Sequence, residues 1–130
     1  MLAFGVHFDL SQISRKGIRH IARHDILQAR RDGKMIKLIA SATRQGDKIH
    51  IGVAPETLLL QDPLAALPGA MNAVTLIGDR TGPITITGAG AGGMPTASAV
   101  IADIVDIAAG RRTLPFGVAV AQLRPVTLSS

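Results

Sequence analysis

"ITITGAGAGGMPTASAVIADIVDIAAG", residues 84–110, spaces Gly88, Gly90 and Gly93 as G-x-G-x-x-G, after a strand-like Ile84-Thr85-Ile86-Thr87 and before a helical run. Strand, glycine turn and helix is the order of a dinucleotide-binding turn, where a pyrophosphate meets the helix N-terminus. Three features argue against an independent unit of that kind. Pro95 lies seven residues beyond Gly88; a helix begun inside the motif would be in its second turn there, and proline would remove a hydrogen bond and clash with the preceding turn. The next strand candidate, "FGVAVAQL" (116–123), leads to Gln122 and Arg124 rather than to an acid for the ribose. The motif also comes late, whereas the fingerprint normally opens its domain. The helix is therefore predicted to start near Pro95, and the glycines to serve a tight turn or a close backbone approach.

Working outward, the last helix has a core stripe of Ile101, Ile104, Val105 and Ala108 and stops at Gly110, with Arg111 and Arg112 at its negative end. Upstream, "AVTLIG" (73–78) and "PITITG" (83–88) flank Asp79-Arg80-Thr81-Gly82 and read as a hairpin. "IKLIA" (36–40) and "IHIGV" (49–53) flank Gly46-Asp47 and read as another. "PETLLLQDPLAALPG" (55–69) holds three prolines and reads as a loop with at most one short helical turn. Asp25 is placed to cap a first helix at Ile26–Arg31, with Gly33 beyond its end. Strands in hairpins with a helix before and after predict an α+β, two-layer domain: a mixed or antiparallel sheet with helices packed on one face.

At 130 residues, 47% hydrophobic and 18% charged, the chain is of single-domain size and globular in composition. Aromatics are 2%, all of them Phe, so the core must be aliphatic. Cysteine is absent, which removes disulfides and thiolate chemistry. No secretory signal and no apolar run of about 20 residues appear, so the default expectation is a cytoplasmic protein without a membrane partner. The charge is uneven: residues 1–48 hold ten Lys/Arg against four Asp, and the remainder four against five acids. Arg15, Lys16, Arg19 and Arg23, with His20 and His24 between them, could attract phosphates or nucleic acid, or form a solvated face or an interface with an acidic neighbour. Neither Tyr nor Trp is present for base stacking, which disfavours nucleic acid.

Other residue patterns carry little chemistry. Asp103 and Asp106 are three apart and could pair as carboxylates, but the outer face of an amphipathic helix commonly carries solvated acids. His20 and His24 have the spacing of metal ligands on a helix, with no Cys or Glu partner evident. Ser41 and Ser98 have neither a nucleophile elbow nor a partnered histidine. The residues designate no catalytic group and no metal site.

"GAGAGGMPTASAVIADIVDIA" (88–108) resembles the G-x-G-A-G-G-x-P-T-A-S-A-V-x-x-D signature of homoserine dehydrogenases. The resemblance extends over nearly the whole chain. "DLSQISRKGIRHIARHDILQARRDGKMIKLIASA" is similar to the family's GI turn, helix and "IKLLA" strand. "VAPETLLLQDPLAALPGAMNAVTLIGD" is similar to its "V-x-P-T-L-L", "PLA" and "NAV" run, and "PFGVAVAQL" to the segment after the last helix. Two departures are local: Asp62 stands where many members have His, and Glu56 stands between Pro55 and Thr57.

The resemblance implies the substrate and dimerisation part of an NAD(P)-dependent enzyme interconverting L-homoserine and L-aspartate 4-semialdehyde, on the way to threonine and methionine. It implies a fold like the C-terminal domain of glyceraldehyde-3-phosphate dehydrogenase over residues 1–110, with 111–130 as a tail or linker-like extension. It further implies a homodimer, and an N-terminal nucleotide-binding domain elsewhere in the full enzyme. The family's "YAE-x-DP" and lysine-bearing "G-x-DA-x-x-K" segments have no counterpart here, and Lys16, Lys34, Lys37 and Lys48 lie in no such motif. No catalytic residue is therefore transferred, and the chain alone is expected to be inactive and to hold no cofactor. What transfers is Gly88, Ala89, Gly90, Ala91 and Gly92, the loop that lies beside NAD or NADP in the family. The alternatives are a non-catalytic stand-alone dimerisation domain that binds a separate partner, and a basic anion- or nucleic-acid-binding scaffold.

Overall fold

Two long strands, β3 (Lys34–Gln45) and β4 (Lys48–Leu59), pair antiparallel from Lys34↔Leu59 to Gln45↔Lys48. In this computed structural model, which describes residues 1–111 and 113–128, that hairpin is the largest element. Gly46 and Asp47 turn it, Gly46 at φ 61°, the positive φ that a two-residue II′-type turn wants at its first central position. The strands run well past the predicted 36–40 and 49–53. Ser41–Gln45 continue β3 as an exposed arm, where both faces meet solvent and alternation gives no signal.

Pro55 does not open a loop, contrary to the sequence reading, but sits inside β4 opposite Leu38. The reason is which edge its nitrogen faces. The Val53 carbonyl accepts the Lys16 N–H at 2.8 Å on the side away from β3. Two residues on, Pro55 points the same way, beyond the end of the short strand β2 (Ser14–Arg15), which pairs parallel with Gly52 and Val53. A missing N–H on an open edge costs the ladder nothing.

Helix α1 (Arg23–Arg31) packs on β3 and buries Ala29. Asp25 lies within its first turn rather than ahead of it, a correction to the predicted start at Ile26. From there its Oδ2 accepts the Ala22 N–H at 2.8 Å, so it still closes the helix start, from the third helical position. Asp25→Ala leaves this part-buried donor unpaired, and the unfolding free energy is expected to fall by about 1 kcal/mol in a denaturant titration. Gly33, at φ 69°, follows the helix as predicted.

The second hairpin joins β5 (Met71–Gly78) to β6 (Gly82–Ala89) in antiparallel register, from Met71↔Ala89 to Gly78↔Gly82. Helix α2 (Gly93–Ala108) follows, ended by Gly110 at φ 67°. Arg111 bonds the Asp106 carboxylate at 2.8 Å near that end; Arg112 lies outside the described residues. The termini meet through β1 (Val6–His7) and β7 (Arg124–Pro125), a parallel pair with Val6↔Arg124. The stretch 116–123 is not a strand: Val120–Gln122 forms a single 3-10 turn. Asp9 caps the matching turn near the N-terminus. Its bond from the Ser11 N–H holds its carboxyl below the ordinary range, so this cap is lost only as pH falls through that lowered value.

The architecture is α+β, as predicted, with strand groups β1–β7, β2–β4–β3 and β5–β6. Val6, Ala29, Ile49, Ala65 and Leu123 are the buried apolar residues among those described. No residue of α2 is buried; Ile101, Ile104 and Val105 are each more than half exposed, so the predicted core stripe lies uncovered. No helix is long and apolar enough to cross a membrane among the described residues.

Candidate functional site at the glycine loop

Gly88 and Ala89 end β6, Gly90–Gly92 make the turn, and α2 begins at Gly93. The helix thus starts two residues before Pro95 and not at Gly90. Pro95 is the third helical residue, where its N–H would have no partner within the helix, and the first helical bond runs from the Thr96 N–H to the Gly92 carbonyl at 3.1 Å. Gly92 is the N-cap at φ 129°, ψ 148°, close to a backbone region only glycine occupies freely. Topology settles the dinucleotide question. β6 pairs antiparallel with β5, and β7, the described strand after α2, pairs with β1 rather than joining β6 in a parallel βαβ unit.

All five loop residues are exposed. From Gly88 through Gly93 no side chain exceeds a methyl group, so a flat ring can approach the main chain closely. The loop is held at its start by the residue just ahead of β5: the Gly90 N–H donates to the Ala70 carbonyl at 3.0 Å. Asn72, opposite Gly88 in the ladder, lays its carboxamide over Gly90, where an added Cβ would overlap it. Asn72 escaped the sequence reading. The signal that could have found it is a strand-averse asparagine amid the β-formers of "MNAVTLIG".

The other candidates do not join this site. Asp106 is engaged by Arg111 and Asp103 is exposed. His20 precedes α1, so it shares no helical face with His24, whose Nε2 lies 3.1 Å from the Asp25 carboxylate. Ser98 is exposed on α2. Ser41 lines a small cleft with His50, and no hydrogen bond joins them among the described residues. In the basic cluster, the Arg15 side chain bonds the Leu10 carbonyl at 2.7 Å, while Arg19, His20 and Arg23 are exposed.

The sequence profile of the family described as Homoserine dehydrogenase matches residues 1–105. The chain belongs to the homoserine dehydrogenase family. Among relatives of this family, it is 39% identical over 125 residues to the homoserine dehydrogenase of Helicobacter pylori, covering 96% of this chain and 30% of that one. A relative from Pseudomonas canavaninivorans named NAD(+)-dependent homoserine dehydrogenase is 40% identical over 75% of this chain and 28% of its own length. A solved homoserine dehydrogenase from Thiobacillus denitrificans superposes with a TM-score of 0.73 at 40% identity, covering 82% of this chain and 25% of that structure. The chain therefore spans about a quarter to a third of the length of these relatives. Its fold is the family's, like the C-terminal domain of glyceraldehyde-3-phosphate dehydrogenase.

Proposed function

We propose that this chain is the substrate and dimerisation part of an NAD(P)-dependent homoserine dehydrogenase, and that Gly88–Gly92 borders the nicotinamide. The observation that carries this reading is the loop itself: exposed backbone without side chains larger than methyl, fixed at one end by β5 and at the other by α2. Such a surface suits a planar ring lying against the main chain. The cofactor, when bound, supplies hydride transfer. The contribution of residues 88–92 is to set how closely the ring approaches and to keep side chains and water from the space. The rest of the catalytic machinery belongs to parts of the enzyme beyond this segment, so residues 1–130 alone are inactive and bind the cofactor more weakly than millimolar.

The test is direct. The full-length polypeptide carrying this segment is expected to reduce NAD or NADP with L-homoserine, whereas purified 1–130 is expected to give no rate above a denatured control. Calorimetric binding of either dinucleotide to 1–130 tighter than about 1 mM, roughly 4 kcal/mol, would contradict the division of labour. A full-length polypeptide that does not oxidise homoserine would overturn the activity itself.

A further inference from the structure

We infer that Asn72 is a positioning residue for the glycine loop, setting the path of Gly88–Gly92 and, through it, how deeply the nicotinamide settles. The second half rests on the proposed placement of the cofactor; the first does not. Asn72 stands opposite Gly88, and Gly90 is the next residue along on the same face, where the missing side chain leaves space that the carboxamide occupies. The contact is close enough that a Cβ on Gly90 would collide with both the amide nitrogen and Cγ of Asn72. Gly90 has no positive φ, so the backbone accepts alanine there, and the Asn72 side chain is the obstacle. Asn72 makes no side-chain hydrogen bond among the described residues, so its role here is its shape. Asn72 is itself exposed, so a methyl group on Gly90 would turn the carboxamide off the loop by rotating its side chain.

The experiment uses the full-length polypeptide with selectively 15N-labelled glycine, together with cofactor titration and steady-state kinetics. Asn72→Ala is expected to move the Gly88, Gly90 and Gly92 amide resonances. It should raise the cofactor Kd and KM about tenfold while kcat stays within about twofold, the split expected when only ground-state placement is lost. Asn72→Leu, which keeps the bulk, is expected to hold all three readouts near those of the parent. Gly90→Ala should mimic Asn72→Ala but add nothing in the Asn72→Ala background, because the group it displaces is already gone. Unmoved glycine resonances in Asn72→Ala overturn the inference. So do Ala and Leu variants that weaken binding equally, since the carboxamide would then act on the cofactor rather than through the loop. If Asn72→Ala moves the resonances but neither it nor Gly88→Ala alters cofactor affinity, Asn72 stands as the positioner of the loop and the cofactor placement falls.

Discussion

Replacing Gly92 with alanine is expected to lower the unfolding free energy of the protein by about 1–3 kcal/mol, the cost of holding a non-glycine residue in a sparsely allowed region. At φ 129° and ψ 148° the Gly92 backbone leaves no comfortable place for a Cβ. The atom would also stand 3.3 Å from the Pro95 Cδ, part of a rigid ring that cannot rotate aside. The stiffening of the unfolded chain by alanine returns only about 0.4–1 kcal/mol. Gly88→Ala is the matched control: its φ is ordinary and its Cβ would meet open space, so its stability should stay within about 0.5 kcal/mol of the parent. The two variants also separate two kinds of harm to the proposed cofactor contact. At Gly92 the loss would come from a displaced chain path, and at Gly88 from a methyl group on the approach surface with stability intact. Denaturant unfolding and cofactor titration of both variants decide this. A Gly92→Ala protein as stable as the parent would show that the loop tolerates another path and that the positive φ is dispensable.

What the sequence made legible follows from where side-chain chemistry is local. Gly110 stopping α2, Gly46-Asp47 turning the first hairpin and Pro95 in the first turn of α2 each act through their own backbone, so each could be read from one position. The true reach of β3 and β4 was not legible. Ser41–Gln45 of β3 is exposed throughout and offers no alternation, and Pro55 reads as a breaker unless one knows which edge its nitrogen meets. The two-residue strands β1, β2 and β7 depend on partners far away in the chain, as in Val6↔Arg124 and Ser14↔Gly52, and carry no pattern of their own. At the candidate site the glycines were visible as a motif. Asn72 was not, because its partnership with Gly88 and Gly90 exists only once β5 and β6 are in register.

The aliphatic composition finds its consequence in the second hairpin. Val74 pairs with Ile86 and Leu76 with Ile84, which puts these four side chains on one face of β5–β6, each between 48% and 61% exposed. The other face carries Thr75 and Thr85, joined by a 2.9 Å hydroxyl contact and part-buried. Four half-exposed aliphatic side chains gathered on this outer face call for a cover. The whole chain points the same way: its accessible surface is 10131 Å² at 13.5 kDa, against about 6,500 Å² for a compact monomer of that mass. A standard interface covers only about 800 Å² on each partner, so a second copy would account for part of this excess. We therefore expect the full-length polypeptide to be a homodimer through the outer β5–β6 face, with an aromatic-poor interface. Burying the half-exposed remainder of each of the four aliphatic side chains contributes about half of the roughly 1.5–3 kcal/mol of a full burial. A carboxylate at the centre removes one such contribution and must be desolvated as well. Ile86→Asp is accordingly expected to raise the dimer dissociation constant at least about 100-fold, roughly 2.7 kcal/mol, giving monomers at tens of micromolar in sedimentation velocity. Ile77→Asp, equally intrusive but on the opposite face beside Pro83, should leave the dimer intact. A parent protein that sediments as a monomer, or an Ile77→Asp variant that dissociates while Ile86→Asp does not, would remove this face from the interface and assign its cover to another part of the chain.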